Sequence, residues 1–153
     1  MRFAGGMKCL VRLVLMVNLI MLFAGCASIR PPRGERPIER TVLTTGYCPC
    51  GSCCGWRRNW LGRPVYSSGK MAGQHKKVGY TASGVRAKKG TIAADTRLYP
   101  FGTVFYIDGY GYGRVEDRGG AIKGEHLDLY FSSHEDALEW GRRYRRAKVW
   151  FAR

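Results

Sequence analysis

Residues 115–131 read VEDRGGAIKGEHLDLYF, two short strand patterns joined by a glycine-rich turn. The last six of them, residues 126–131, alternate between polar and apolar side chains. Because side chains of a strand point alternately to its two faces, Leu127 and Leu129 are predicted to be buried and Asp128 to lie on the opposite face. This stretch therefore predicts a β-strand that presents a carboxyl group.

The strand before the turn places a second carboxylate where an apolar side chain is expected. In Gly113–Asp117, alternation puts Val115 and Asp117 on the same face. A carboxylate at such a position either has a partner that offsets the cost of burying its charge or has a functional role. The turn that follows, Gly119–Gly124, is rich in glycine and lets the backbone approach a ligand closely.

Other runs with a strand pattern are separated by turn residues. They are Thr41–Tyr47, Gly79–Ser83, Thr91–Ala94, Thr103–Asp108 and Lys148–Ala152. Short strands at this spacing predict a small, mainly β barrel. One helix is predicted near the C-terminus, where Ser132 and Glu135 fit a capping box and Gly141 marks the end.

The chain of 153 residues carries 26 Lys and Arg against 11 Asp and Glu, a net charge of +15. No acidic residue lies in residues 41–94, so the positive charge is concentrated there and near the C-terminus. Nucleic acid, anionic lipid and anionic cell-wall polymer are all compatible partners. Intrinsic disorder is excluded, because 45% of the residues are hydrophobic and 12% are aromatic.

The N-terminus has the pattern of an export signal. Residues 13–23 form an apolar run that, as a helix, would rise about 16 Å, too short for a hydrocarbon core of about 30 Å. The following residues, Leu22 to Cys26, resemble the lipobox of bacterial lipoproteins. That resemblance implies cleavage after residue 25 and lipidation of Cys26; an ordinary secretory signal is the alternative.

Residues 26–39 are predicted to be a lipidated, Pro-rich and Arg-rich linker. The part of the chain after residue 25 keeps 23 basic and 11 acidic residues, a net charge of +12. We expect it to be tethered by lipid in the cell envelope, on the periplasmic face of an outer membrane. Export excludes nucleic acid as a partner, and we expect a monomer without a cofactor.

Four cysteines remain after the signal and the lipidation site, at Cys48, Cys50, Cys53 and Cys54. Disulfides are favoured in an exported protein. A metal site is the alternative, although ordinary structural zinc sites take ligands from two separated pairs and the sequence has no second pair. Free thiols are the third possibility. No rule of sequence places a histidine beside this cluster.

Several segments resemble the three-aspartate (3D) domain family. They are Thr81–Gly84, Gly90–Asp95, Tyr99–Thr103, Val115–Gly124 and Leu127–Leu129. The three aspartates that name the family correspond here to Asp95, Asp117 and Asp128. The resemblance implies a domain over residues 40–153 that folds as a six-stranded double-psi β-barrel with one short helix near its C-terminus.

The family resemblance also implies an activity, the lytic cleavage of peptidoglycan glycan strands with formation of a 1,6-anhydro-muramoyl end. Asp128 would then be the catalytic acid and base, with Asp117 beside it and Asp95 completing the site. Aspartate beside glycine turns often only caps backbone amides. Of the three aspartates, Asp95 is the one for which we most expect this structural role.

Substrate-binding groups are expected around the glycine-rich turn and among the aromatic side chains. The candidates are Lys123, Gly119, Gly120, Tyr110 and Tyr112. Two other functions fit the same sequence. One is non-catalytic binding of peptidoglycan by a basic barrel, and the other is glycoside hydrolysis by two carboxylates.

Overall fold

The computed structural model describes residues 28–152. The predicted signal peptide and Cys26 lie outside the described residues. No helix within residues 28–152 is both long and apolar enough to span a membrane. The elements are β1 Ile38–Tyr47, α1 Gly51–Cys54, β2 Trp56–Arg58, β3 Pro64–Tyr66, β4 Thr91–Ala93, β5 Val104–Ile107, β6 Gly111–Asp117, β7 His126–Tyr130, α2 His134–Trp140 and β8 Arg143–Trp150.

Six strands close into a barrel in the order β1-β7-β4-β6-β5-β8. The β1/β7 and β4/β6 pairs are parallel, and the other four contacts around the barrel are antiparallel. The prediction of a mainly β, six-stranded barrel is confirmed. The remaining strands, β2 and β3, form a separate two-stranded sheet inside the long segment before β4.

The barrel encloses an apolar core supplied by the alternating strands. Leu127 and Leu129 of β7 are fully buried, as the alternation predicts. Burying a side chain of this size stabilises a fold by about 1.5–3 kcal/mol. Other fully buried side chains are Val42, Ile92, Tyr99, Phe105, Ile107, Val115 and Val149, and all of these except Tyr99 lie in barrel strands.

Helix α2 lies against β1. A Cβ at Gly46 would come within 2.7 Å of the carbonyl oxygen of Ala137, so only glycine allows this approach. The indole Nε1 of Trp140 donates to Oγ1 of Thr44 at 3.1 Å, and this hydroxyl donates to the carbonyl of Arg143 at 2.8 Å. The middle and the C-terminal end of the helix are thereby fixed on the barrel wall.

Two local predictions differ from the structure. The cap of α2 is Ser133, whose hydroxyl accepts from the amide of Asp136 at 3.0 Å; Ser132 lies one residue too early for this contact. The segment Gly79–Ser83 is not a strand, because its only ladder contact is an isolated bridge between Tyr80 and Arg86. It forms turns at the mouth of a groove instead.

Strand β4 lies between β6 and β7 and brings two carboxylates to one face. Its residue Ala93 pairs with Asp128 on the antiparallel side and with Asp117 on the parallel side. The register of β4 and β6 shifts between Ile92 and Ala93. Ile92 pairs with Val115, but the next residue, Ala93, pairs with Asp117 and not with Glu116. Such irregularities often redirect a side chain beside a functional site.

Candidate active site

A groove of about 570 Å³ opens over Ala93. Asp117 and Asp128 line its floor together with the aromatic side chains of Tyr47 and Tyr130. The walls come from the segments before and after the small sheet, Pro49–Cys54 and residues 76–87, and from the turn after β6. The long segment between β1 and β4 therefore shapes the groove, as expected of a long loop in a small domain.

Asp128 is half-buried in the floor of the groove. Burial raises its pKa above the ordinary value, and the negative charge of Asp117 raises it further. A hydrogen bond from Thr45 and the nearby His126 act in the opposite direction. Burial is the largest of these effects, so Asp128 holds its proton to a higher pH than a free aspartate.

Three side chains form a hydrogen-bonded row along β1 and β7. Oγ1 of Thr45 lies 2.6 Å from Oδ1 of Asp128 and 2.9 Å from Nε2 of His126. A hydroxyl has one proton to donate, so Thr45 donates to the carboxylate and accepts from the imidazole. Burial lowers the pKa of His126, and the negative charge of Asp128 acts in the opposite direction.

Asp117 is held by backbone donors. The amides of Ala82 and Arg118 each donate to its Oδ1 at 2.9 Å. The hydroxyl of Tyr47 points to Oδ2 at 3.4 Å, and burial raises the pKa of Tyr47, so it remains a donor. These contacts fix the carboxylate at the end of β6, facing the groove.

Asp95 lies apart from the groove. It is buried just after β4, where Nε and Nη2 of Arg97 donate to its two oxygens at 3.0 and 2.8 Å and the amide of Gly124 donates at 3.2 Å. The Arg97 side chain, followed by the Gly124 amide, holds the pKa of Asp95 well below its usual range. Asp95 therefore caps the turn between β6 and β7 and does not meet Asp117 and Asp128 in the groove.

The family model of the 3D domain matches residues 90–152, which contain all three of these aspartates. Residues 90–152 of this chain are therefore similar to the 3D domain. The resemblance seen in the sequence is thereby confirmed, and the match covers β4 to β8 but not β1 or the small sheet.

Two proteins of Bacillus subtilis strain 168 are similar to this chain. The cell wall-binding protein YocH is 40% identical over 67 residues, which are 41% of this chain and 23% of YocH. YabE, named for cell wall shaping, is 36% identical over 75 residues, 46% of this chain and 18% of YabE. The chain thus spans less than a quarter of either relative.

Among solved structures, the lytic transglycosylase MltA of Escherichia coli is similar to this chain. The crystal structure of MltA covers 48% of this chain and 28% of MltA, with 26% identity and a TM-score of 0.39. MltA with bound chitohexaose gives a TM-score of 0.40 at 25% identity and the same coverage.

The glycine-rich turn after β6 lies between two adjoining cavities. Arg118, Gly119 and Gly120 line both the groove and the neighbouring cavity beside Asp95 and Arg97. Lys123 lines only the neighbouring cavity. The turn backbone is thus in position to meet a ligand in the groove, and Lys123 lies on the far side of the turn.

The two tyrosines predicted from sequence to bind substrate, Tyr110 and Tyr112, do not line the groove over Ala93. Tyr110 packs against the core, and its hydroxyl donates to the carbonyl of Tyr130 at 2.9 Å and accepts from the amide of Gly90 at 3.1 Å. Tyr112 stacks its edge on Tyr106 on another face of the barrel. Alternation in the sequence could not predict these positions, because it does not indicate on which part of the barrel the groove lies.

Other aromatic and basic side chains line the groove over Ala93. Tyr66 and Tyr80 form part of its wall, with Lys76 and Lys77 placed over their rings at 4.6 and 3.6 Å from the ring centres. Arg118 completes the basic rim. An aromatic ring face can pack against a sugar ring, and a cation beside it can bind the negatively charged substituents of that sugar.

Cys48, Cys50, Cys53 and Cys54 lie before the small sheet, and the structure has no disulfide bond among them. Cys53 and Cys54 pack against Tyr47 and Tyr130, so the cysteine segment forms one wall of the groove. Among the described residues, one group of side chains could hold a metal ion, Cys48, Cys50, Cys53 and His134. Sequence reasoning did not assign Thr45, His126 and His134 to a site, nor the groove side chains Tyr47, Lys76, Lys77, Tyr80, Arg118 and Tyr130.

Proposed function

We propose that this protein is a peptidoglycan lytic transglycosylase that cleaves the β-1,4 bond between N-acetylmuramic acid and N-acetylglucosamine. The observation that carries the proposal is Asp128, a carboxyl group in an open groove whose pKa is raised by burial. A carboxyl group with a raised pKa keeps a proton that it can donate to a higher pH than an ordinary aspartate does. The names of YocH and YabE support a role at the cell wall.

In the proposed reaction Asp128 acts first as an acid and then as a base. Its proton passes to the glycosidic oxygen as the bond from that oxygen to C1 of the muramoyl residue breaks. The C6 hydroxyl of the same sugar attacks C1 and gives its proton to the Asp128 carboxylate. A 1,6-anhydro bond forms, the leaving sugar keeps a free hydroxyl, and the acid is restored without water.

Asp117 has a supporting role in this reaction. Its charge raises the pKa of Asp128, and it remains in the groove to stabilise positive charge that develops at C1. Asp95 has a positioning role, because it holds Gly124 and with it the turn that presents Gly119 and Gly120. The basic rim of Lys76, Lys77 and Arg118 attracts an anionic polymer.

Two other functions have observations in their favour. YocH is named as a cell wall-binding protein, which favours binding without cleavage. Asp117 shares the groove with Asp128, which favours hydrolysis by two carboxylates, one acid and one base. The three functions give different products from the same substrate.

The test is to incubate the full-length chain in detergent with purified sacculi and to identify the products by mass spectrometry. We expect anhydro-muropeptides, and a loss of about 10²–10⁴-fold in rate for Asp128→Asn, the scale of a general acid. Asp108→Asn is the matched control, since Asp108 lies at the surface beside Arg146. Reducing ends labelled from ¹⁸O water would instead indicate hydrolysis, and binding without products would indicate a binding protein.

We further propose that residues 1–25 are removed, that Cys26 is lipidated and that residues 26–39 tether the domain of residues 40–153 to the outer membrane. The sequence at Leu22 to Cys26 supports this. The test is Cys26→Ser, which we expect to move the protein from the membrane to the soluble fraction and to abolish incorporation of labelled palmitate. Unchanged labelling would overturn the assignment.

A further inference from the structure

Four metal-binding atoms converge between the cysteine segment and α2. The Sγ atoms of Cys48, Cys50 and Cys53 and Nδ1 of His134 all lie within 4.8 Å of one another. Nδ1 of His134 is 3.7, 3.6 and 3.5 Å from the three sulfurs, and the sulfurs of Cys48 and Cys53 are 3.7 Å apart. One nitrogen thus faces all three thiols at nearly equal distance.

These separations are those of a tetrahedral zinc site. With Zn–S of about 2.3 Å and Zn–N of about 2.0–2.1 Å, tetrahedral angles place sulfur and nitrogen about 3.6 Å apart and two sulfurs about 3.8 Å apart. A sulfur–sulfur bond would require about 2.05 Å. The pair whose sulfur separation is known, Cys48 and Cys53, therefore has the spacing of ligands that share an ion and not that of a disulfide.

The backbone at the cysteines supports ligation. The Cys50 sulfur accepts a hydrogen bond from the amide of Cys53 at 3.4 Å. Helix α1 follows Cys50 and is capped at its C-terminal end by Gly55, whose φ of 59° lies in the left-handed region. A backbone amide aimed at a sulfur stabilises a thiolate, the form of cysteine that binds metal. The Cys-x-x-Cys spacing of Cys50 and Cys53 is a usual ligand pair.

The fourth donor comes from a distant part of the chain. His134 is 86 residues from Cys48 and is the first residue of α2. The contact of α2 with Gly46 and the bond from Trp140 to Thr44 fix this helix on β1, the strand that leads into Cys48. The imidazole is thus presented to the cysteines by the barrel itself.

We propose that Cys48, Cys50, Cys53 and His134 bind a structural zinc ion. Four protein ligands leave no open position for water or substrate, so the ion has no part in the reaction. Cys54 is outside the set: its thiol donates to the carbonyl of Cys48 at 3.2 Å. Because Cys53 and Cys54 pack on Tyr47 and Tyr130, the ion would hold one wall of the groove in place.

The test uses the full-length chain, purified from membranes in detergent without chelators. We expect about one zinc ion per chain by elemental analysis. Chelation is expected to lower the midpoint of thermal unfolding. Replacement by cobalt is expected to give the visible absorption of a tetrahedral thiolate site. Zinc is expected to be lost in Cys50→Ser and in His134→Ala.

Cys54→Ser and His75→Ala are the matched controls, since neither residue belongs to the donor set. Both variants are expected to keep the zinc and the cobalt spectrum. A wild-type chain with disulfides and no zinc would overturn the proposal, and so would zinc retained in His134→Ala. The metal content is independent of cleavage, so the proposal can fail or hold whatever the enzyme assay shows.

Discussion

The hydroxyl of Thr45 donates a hydrogen bond of 2.6 Å to the carboxyl group of Asp128, a residue 83 positions later in the chain. The two residues are partners in the parallel register of β1 and β7. Thr45 therefore orients the carboxyl group and also lowers its pKa against the larger, raising effect of burial. The proton affinity of the proposed catalytic acid depends on a strand outside the matched part of the 3D domain.

Removing this hydrogen bond is expected to move the pH profile in a defined direction. Thr45→Val keeps the shape of the side chain but cannot donate, so the pKa of Asp128 rises further. A general acid loses activity as the pH rises through its pKa, and the alkaline limb of kcat/KM should therefore move to higher pH. Release of anhydro-muropeptides across pH gives the measurement. Thr41→Val, at an exposed position of the same strand, is the control. An unmoved limb would contradict the role given to Thr45.

Removing the charge of Asp117 is expected to have the opposite effect. That charge raises the pKa of Asp128, so Asp117→Asn lowers it and moves the alkaline limb to lower pH. The maximal rate should also fall, because a group that stabilises charge in the groove is lost. The same assay measures both. A shift in the same direction as Thr45→Val would show that Asp117 does not act on Asp128 through its charge.

The alternation in residues 126–131 was enough to place Asp128 opposite the buried Leu127 and Leu129, and the structure has this arrangement. The face of Asp117 was predicted wrongly: alternation put it on the face of Val115, but the register shift between Ile92 and Ala93 turns it to the face of Asp128. Local periodicity is sufficient for a regular strand such as β7, but it does not reveal an irregular pairing with a neighbouring strand.

Thr45 and His134 could not be assigned from sequence, because their roles depend on which strands and helices become neighbours. Thr45 meets Asp128 only through the parallel pairing of β1 and β7, and His134 meets the cysteines only because α2 packs on β1. Tyr110 shows the same limit. Its position beside a glycine turn indicated a binding residue, but the closed barrel turns it toward the core.

The core role of Tyr110 gives a prediction about stability. Tyr110→Phe removes the acceptor for the buried amide of Gly90, and leaving such a donor unpaired costs about 1–3 kcal/mol. We expect a loss of this size in the free energy of unfolding by chemical denaturation, with unchanged binding to sacculi. Tyr112→Phe, on the exposed face, is expected to change neither. If Tyr110→Phe bound sacculi more weakly while its free energy of unfolding was unchanged, Tyr110 would have to be assigned to the substrate site.

Asp95 is expected to affect stability and the turn, without setting the pH profile of the reaction. Its pKa is held below the ordinary value of about 3.9 by Arg97 and Gly124. A group of this kind stabilises the fold above its unfolded pKa, and the stabilisation is lost as the pH falls below it. The unfolding temperature of the wild type should therefore decrease below about pH 4.

Asp95→Asn is expected to unfold at a lower temperature at neutral pH and to depend less on acid, because the amide cannot form the ion pair with Arg97. Its rate of cleavage should fall as the turn loosens, but the alkaline limb should stay in place, since Asp95 is not among the groups that shift the pKa of Asp128. Thermal unfolding at several pH values and the muropeptide assay provide the two measurements, with Asp108→Asn as the control. A displaced limb would mean that Asp95 acts on the acid directly, as a third member of the site.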